Sequence, residues 1–407
     1  MTDQSSNLIE ANSGVQPPGS PGPPSAPAPP IAESADLVRR SKRYQRGRMA
    51  LAATEWAVEV LILATLLVSG GSVALREAAT ERTANPWLIL LLYMLPLGVL
   101  FGFVSVAFSA VRTFFLDRQF GLSTESLAVW VADEIKGIAL GGFLALLAIE
   151  TLYALLRYSP NLWWIWAGGA FSLFFLLLSH VAPILIFPLF FRFTRITDAE
   201  ITGRLERLAE RAGSRIAGVY EVNLSRKTRA ANAALAGFGR TRRILLADNL
   251  LDHFTLDEIE AVLAHEFAHH ARHHLAKAIL IQTATFFILF YGLHFVLGAV
   301  GNRLGLQGAA DVANLPLLAL AATVLGLVFL PLTNGLLRRF ERCADDYALR
   351  AATQPRALCS ALQRLAQINL ADRFPHPLIE WLFYSHPAIG ARIARAEKML
   401  EEASHQQ

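Results

Sequence analysis

Residues 86–111 read PWLILLLYMLPLGVLFGFVSVAFSAV, 26 positions without one charged side chain. A helix needs about 20 mostly apolar residues to cross a bilayer, and a buried helix of a soluble domain has no use for so long a run. This stretch is read as a membrane span. Five more meet the same criterion: 51–75, 137–156, 162–191, 278–300 and 315–337. The run 162–191 holds Pro183 and Pro188, which predicts a kink or an extension into the interface. Glu55 and Glu59 share one helical face near the start of 51–75.

The whole chain agrees with these segments. Of 407 residues, 54% are hydrophobic and 17% charged, whereas soluble domains carry about 25% charged residues. Charge this sparse cannot cover two or three soluble domains, so a soluble globular protein is excluded. A net charge of +4 is too small for a nucleic-acid scaffold of this size. No nucleic-acid partner is expected, and the lipid bilayer is. Cys343 and Cys359 are the only cysteines, too few for a disulfide framework.

Residues 1–36 are polar, and eight of the 19 prolines fall between Pro17 and Pro30. Such a composition cannot offset its ordering entropy and predicts a disordered tail. No apolar run lies at the very start, so a cleaved secretory signal is not expected. Arg39, Arg40, Lys42, Arg43, Arg46 and Arg48 follow as a basic juxtamembrane cluster. Arg112, Arg118, Lys136 and the region after Arg192 are also basic, while the links 76–85, 157–161 and 301–314 carry few cations. Six crossings that start inside satisfy the positive-inside rule and put both termini in the cytoplasm. The expected organisation is a tail and basic segment over 1–48, four spans over 49–192, and a polar cytoplasmic domain over 193–407. That last region includes the two spans near 278–300 and 315–337, and strand-like runs at 218–224 and 243–247.

Thr255 and Glu258 form the pattern of a capping box, opening a helix that contains His265-Glu266-Phe267-Ala268-His269. Four residues advance a helix by about 400°, so His265 and His269 lie one above the other and can share a metal ion. Glu266 faces the open side, where it can take a proton from a bound water. Three more histidines, His270, His273 and His274, lie nearby, but only His265 is followed directly by Glu. These three are read as a solvated or headgroup-facing surface. A catalytic zinc wants a third protein ligand and an open fourth position. Glu341, just beyond the last span, supplies the ligand, and Asp345 on the same helical face either orients a ligating histidine or exchanges a proton. Cys343 lies on the other side of that helix and is not counted as a ligand.

Several blocks together resemble the integral-membrane zinc endopeptidases of the type I CAAX prenyl protease family. They are His265–His269 with Glu341 and Asp345, residues 369–378 and 383–387, residues 232–239 and 243–251, and Phe120–Thr124 with Asp133 to Lys136. The resemblance covers about residues 50–400. It implies a mainly α, polytopic helical membrane protein of about six spans with a zincin-like cytoplasmic metalloprotease domain containing a small β-sheet. It implies one Zn2+ per chain on His265, His269 and Glu341, with Glu266 as catalytic base and Asp345 in proton transfer. His386 and Arg392 correspond to a pair that stabilises the substrate carbonyl or oxyanion. Asn232 corresponds to a position beside the edge strand on which, the resemblance implies, the peptide substrate lies.

The chain departs from that family in having six spans where eukaryotic relatives have seven. Ala233, Ala234 and Leu235 also stand where relatives carry aromatics. The Pro-rich tail and the lack of a retrieval signal at 403–407 point to the bacterial inner membrane. The expected activity is hydrolysis of peptide bonds in membrane-associated, unfolded or CAAX-like polypeptides at the cytoplasmic side. Two other classes remain open at this stage. One is a catalytically silent membrane scaffold or chaperone; the other is a transporter using Glu150, His180 and His294 as a proton path.

Overall fold

The computed structural model describes residues 34–237, 239–300 and 306–405. The expected disordered tail lies outside these residues, except at its end, where Ser34 caps the first helix. That helix, α1 (Ala35–Val68), carries the basic cluster and the first span as one rod. It ends earlier than 51–75 predicts. Gly70, at φ 75°, occupies the left-handed conformation that terminates helices, and a short α2 (Gly71–Thr80) follows.

Asn85 caps α3 (Pro86–Ala110), with Pro86 at a first-turn position where a missing N–H costs nothing. A π-helical turn, Val111–Asp117, extends it. Then come α4 (Leu127–Tyr158), α5 (Trp163–Val181) and α6 (Phe187–Phe190). The predicted irregularity at Pro183 is a π-helical turn, Ala182–Ile186. Later in the chain α10 (His274–Val300) and α11 (Leu315–Ala351) complete the set. Six helical segments are long and apolar enough to cross a membrane, beginning at Ala35, Pro86, Leu127, Trp163, His274 and Val312. The protein is a multi-pass integral membrane protein.

Between α6 and α10 lies a mixed sheet with strands β1 (Phe193–Arg195), β2 (Gly218–Val222), β3 (Ala233–Ala236) and β4 (Arg243–Ala247). Their order is β1-β2-β4-β3; β2 and β4 run parallel, and the outer pairs are antiparallel. Two of these strands are the predicted ones. β3, built from Ala-Ala-Leu-Ala, has weak strand propensity and forms because its backbone pairs with β4, with Ala234 opposite Leu245. It sits at an edge of the sheet.

Helices α7 (Ala199–Arg211), α8 (Asp248–His253) and α9 (Leu256–Ala271) pack against the sheet, and α12 (Ala357–Ile368), α13 (Pro377–Phe383) and α14 (Ile389–Ser404) pack on α9, α11 and one another. The capping box of α9 is present: Thr255 accepts from the Glu258 N–H, and Glu258 accepts from the Thr255 N–H at 2.9 Å. Leu205, Ile244, Leu246, Leu263, Phe267, Ala348, Leu362 and Ile393 form one buried core. It joins α7, the sheet, α9, α12, α14 and the last turns of α11.

Glu260 on α9 is fully buried against that core. It accepts from Arg204, from Arg211 at 2.7 Å and from Thr353 at 2.8 Å. Burial raises its pKa, but the Thr353, Arg204 and Arg211 donors outweigh burial and hold it below the usual carboxylate value. A carboxyl depressed in the folded state contributes stability that is complete above its unfolded pKa of about 4.3 and is lost as pH falls through the folded value. The expected result is a melting temperature that declines with acid below that point, and a shallower decline in Glu260→Gln. Thermal unfolding in detergent across the acid range measures both.

Candidate metal centre

Helix α9 presents His265 and His269 on one face, as the four-residue spacing predicts. Their Nε2 atoms are 3.3 Å apart. Helix α11 brings Glu341 to both, with Oε2 3.3 Å from His265 Nε2 and Oε1 3.3 Å from His269 Nε2. Four ligands at zinc–nitrogen and zinc–oxygen distances of about 2.0–2.1 Å stand about 3.3–3.4 Å apart in a tetrahedron. Two imidazole nitrogens and a carboxylate edge thus converge at spacings such a tetrahedron can use. Glu341 Oε2 is buried and makes no hydrogen bond, a costly arrangement for a carboxylate oxygen unless a cation compensates it. The donor set fits a divalent metal.

Asp345, one turn beyond Glu341, lies behind the first histidine. Its Oδ1 is 2.8 Å from His265 Nδ1, and Arg392 on α14 grips the carboxylate at 2.7 and 2.9 Å. Both carboxylate oxygens are engaged, which suits Asp345 to orienting His265 better than to carrying a proton. Burial opposes charge on His265, yet Asp345 and Glu341 raise its pKa to about 9. The same negative potential favours a metal cation. Burial, reinforced by the charge of His265, lowers His269 to about 4 and keeps that imidazole neutral and ready to ligate.

Glu266 is half-buried beside the cluster. Burial first, and then the Glu341 charge, raise its pKa above the ordinary carboxylate value, as a proton acceptor requires. His386 follows α13 and reaches the open side, its Nε2 3.5 Å from Glu341 Oε1 with its side chain 62% exposed. The Arg392 guanidinium is held by Asp345, and its charge also acts on His386 and Glu266. Asn232 is exposed immediately before edge strand β3, and its Oδ1 accepts from the Ala233 N–H at 3.0 Å. It lies at the sheet edge and makes no hydrogen bond to the ligand cluster.

One member of the cluster was read from sequence as surface. His274 is buried, its Nδ1 3.1 Å from His269 Nδ1. On an unbroken helix the two would lie about 140° apart. The chain instead turns at His273, whose φ of 54° separates α9 from α10 and swings His274 back.

The description of peptidase family M48 matches residues 195–400, half of the chain. The chain belongs to peptidase family M48. An N-terminal domain described for CAAX prenyl proteases, with five membrane helices, matches residues 23–192. Among the described residues this M48 chain has four helices there that are long and apolar enough to cross. It is 30% identical over 295 residues to an uncharacterized metalloprotease, YhfN, of Bacillus subtilis, covering 72% of this chain and 69% of that one. It is 25% identical over 321 residues to CAAX prenyl protease 1 of Saccharomyces cerevisiae, covering 74% and 70%. The crystal structure of S. mikatae Ste24p superimposes with a TM-score of 0.80 at 21% identity over 91% of both chains, so the fold is shared. The protein is therefore a membrane metalloprotease of the M48 family.

Proposed function

We propose that this enzyme is a zinc-dependent endopeptidase that cleaves membrane-associated, unfolded or CAAX-like polypeptides at the cytoplasmic side of a bacterial inner membrane. The convergence of His265, His269 and Glu341, flanked by Glu266, carries the reading. Cytoplasmic placement is supported by the basic cluster of α1, which Tyr44 ties at 3.0 Å to Asp117, beside the basic residues Arg112 and Arg118. The bacterial setting is supported by the similarity to the Bacillus subtilis protein.

His265, His269 and Glu341 would hold the zinc. When bound, it polarises a peptide carbonyl and lowers the pKa of water. Glu266 accepts the proton of the attacking water and delivers it to the leaving amine. His386, at the open side, donates to the developing oxyanion. Asp345 fixes the ring of His265, and Arg392 holds Asp345 while adding positive potential. A peptide adding itself along β3 would pass Asn232, with main-chain pairing in place of side-chain recognition. The alanines of β3 leave room for side chains that aromatic residues would exclude.

The test uses detergent-purified full-length enzyme with a farnesylated CAAX-type peptide and an unprenylated casein-like protein. Cleavage of either is expected to disappear with chelator and to return on adding one equivalent of zinc. Cleavage indifferent to chelator overturns the metal assignment. A protein that binds no zinc and cleaves neither substrate is a scaffold.

A further inference from the structure

We propose that His274 is a positioning residue for the metal, holding the ring of His269 as Asp345 holds that of His265. The inference rests on the zinc reading above and extends it to a residue outside the His-Glu-x-x-His pattern. For His269 to offer Nε2 to a cation, its proton must sit on Nδ1, and a buried N–H needs an acceptor. The atom facing it is His274 Nδ1, at 3.1 Å. The pairing fixes both tautomers: His269 carries its proton on Nδ1, and His274 carries its own on Nε2.

The ring of His274 is clamped in its turn. It stacks on Phe340 with centroids 4.6 Å apart and an interplanar angle of 11°. Phe340 immediately precedes Glu341 on α11, so one stack connects the second ligand to the third. His273, in the left-handed region at φ 54°, sets the angle at which α10 departs. A non-glycine residue there is strained, which this fold accepts at the point where His274 is delivered to His269.

The experiment measures zinc affinity by chelator competition and records the visible spectrum of the cobalt(II)-substituted protein. Wild type is compared with His274→Ala, His274→Leu and His274→Asn. Leu fills the space against Phe340 but offers no acceptor, whereas the Asn Oδ1 falls near the place of Nδ1. Ala and Leu are expected to weaken zinc binding about 10- to 100-fold and to alter the cobalt spectrum, and Asn to restore most of both. Melting of the zinc-free proteins separates this from a folding defect; if Ala does not fold, the comparison of Leu with Asn decides. Affinity in Leu within about twofold of wild type overturns the proposal, as does an Asn variant no better than Leu. A wild-type protein that takes up no zinc instead overturns the metal reading itself, and the two failures are distinct.

Discussion

Glu266→Gln is expected to bind one zinc per chain and to turn over substrate about 10²- to 10⁴-fold more slowly than wild type. The amide keeps the shape of the side chain but cannot accept the proton of an attacking water. Glu266 is not one of the three ligands, so metal content should not change. It lies half-buried on the α9 turn that carries both histidines, which fixes it beside the metal face. Metal analysis and single-turnover cleavage on the same preparation read the two quantities separately. Turnover within about tenfold of wild type would remove Glu266 from the role of base. Loss of zinc with loss of turnover would instead mean that the substitution disturbed the ligands.

The second large effect belongs to Asp345, and it falls on stability as well as metal. Its carboxylate is the bidentate partner of Arg392 and touches His265 Nδ1. Asp345→Ala strands a largely buried guanidinium, and breaking such a pair costs about 3–5 kcal/mol. It also removes the group that orients His265, a change worth about 10- to 100-fold in metal affinity. The two losses can be separated. Adding Arg392→Met to Asp345→Ala removes the unpaired charge and should recover much of the melting temperature of the zinc-free protein. It should recover little of the zinc affinity. Equal recovery of both would mean that Asp345 acts only as a counter-charge.

The membrane segments were legible because lipid demands long uncharged runs, and six of them stand out in this chain. Their ends were less so. The break at Gly70 and the continuity of the basic cluster with α1 depend on backbone conformation and on the packing of Tyr44 against Phe120, Leu122 and Leu370. Strand β3 was legible only through the resemblance, which puts an edge strand beside Asn232; its alanines carry almost no strand signal, and pairing with β4 makes it a strand. The approach of His265, His269 and Glu341 was anticipated from helical spacing and from two spans returning the chain to one side. His274 was missed for the opposite reason. Helical periodicity places it away from His269, and one residue in the left-handed region cancels that periodicity. Arg392, 47 residues beyond Asp345, illustrates a further limit. A single sequence shows that an arginine is present, but not that a buried carboxylate will claim both edges of it.

Helix α11 extends over 37 residues, about 55 Å at the rise of an α-helix, well beyond the roughly 30 Å of hydrocarbon. Its apolar half is rooted in lipid, and its far end holds Glu341. Asn334 and Arg338 on the same rod fasten the carbonyls of Leu382, Glu380, Trp381 and Tyr384, and so carry the segment that leads to His386. The two histidine ligands belong instead to the folded core around α9. The far end of α11 enters that same core through Ala348 and Leu349. One continuous rod therefore ties the third ligand and the segment that leads to His386 to the part of the chain that lies in lipid.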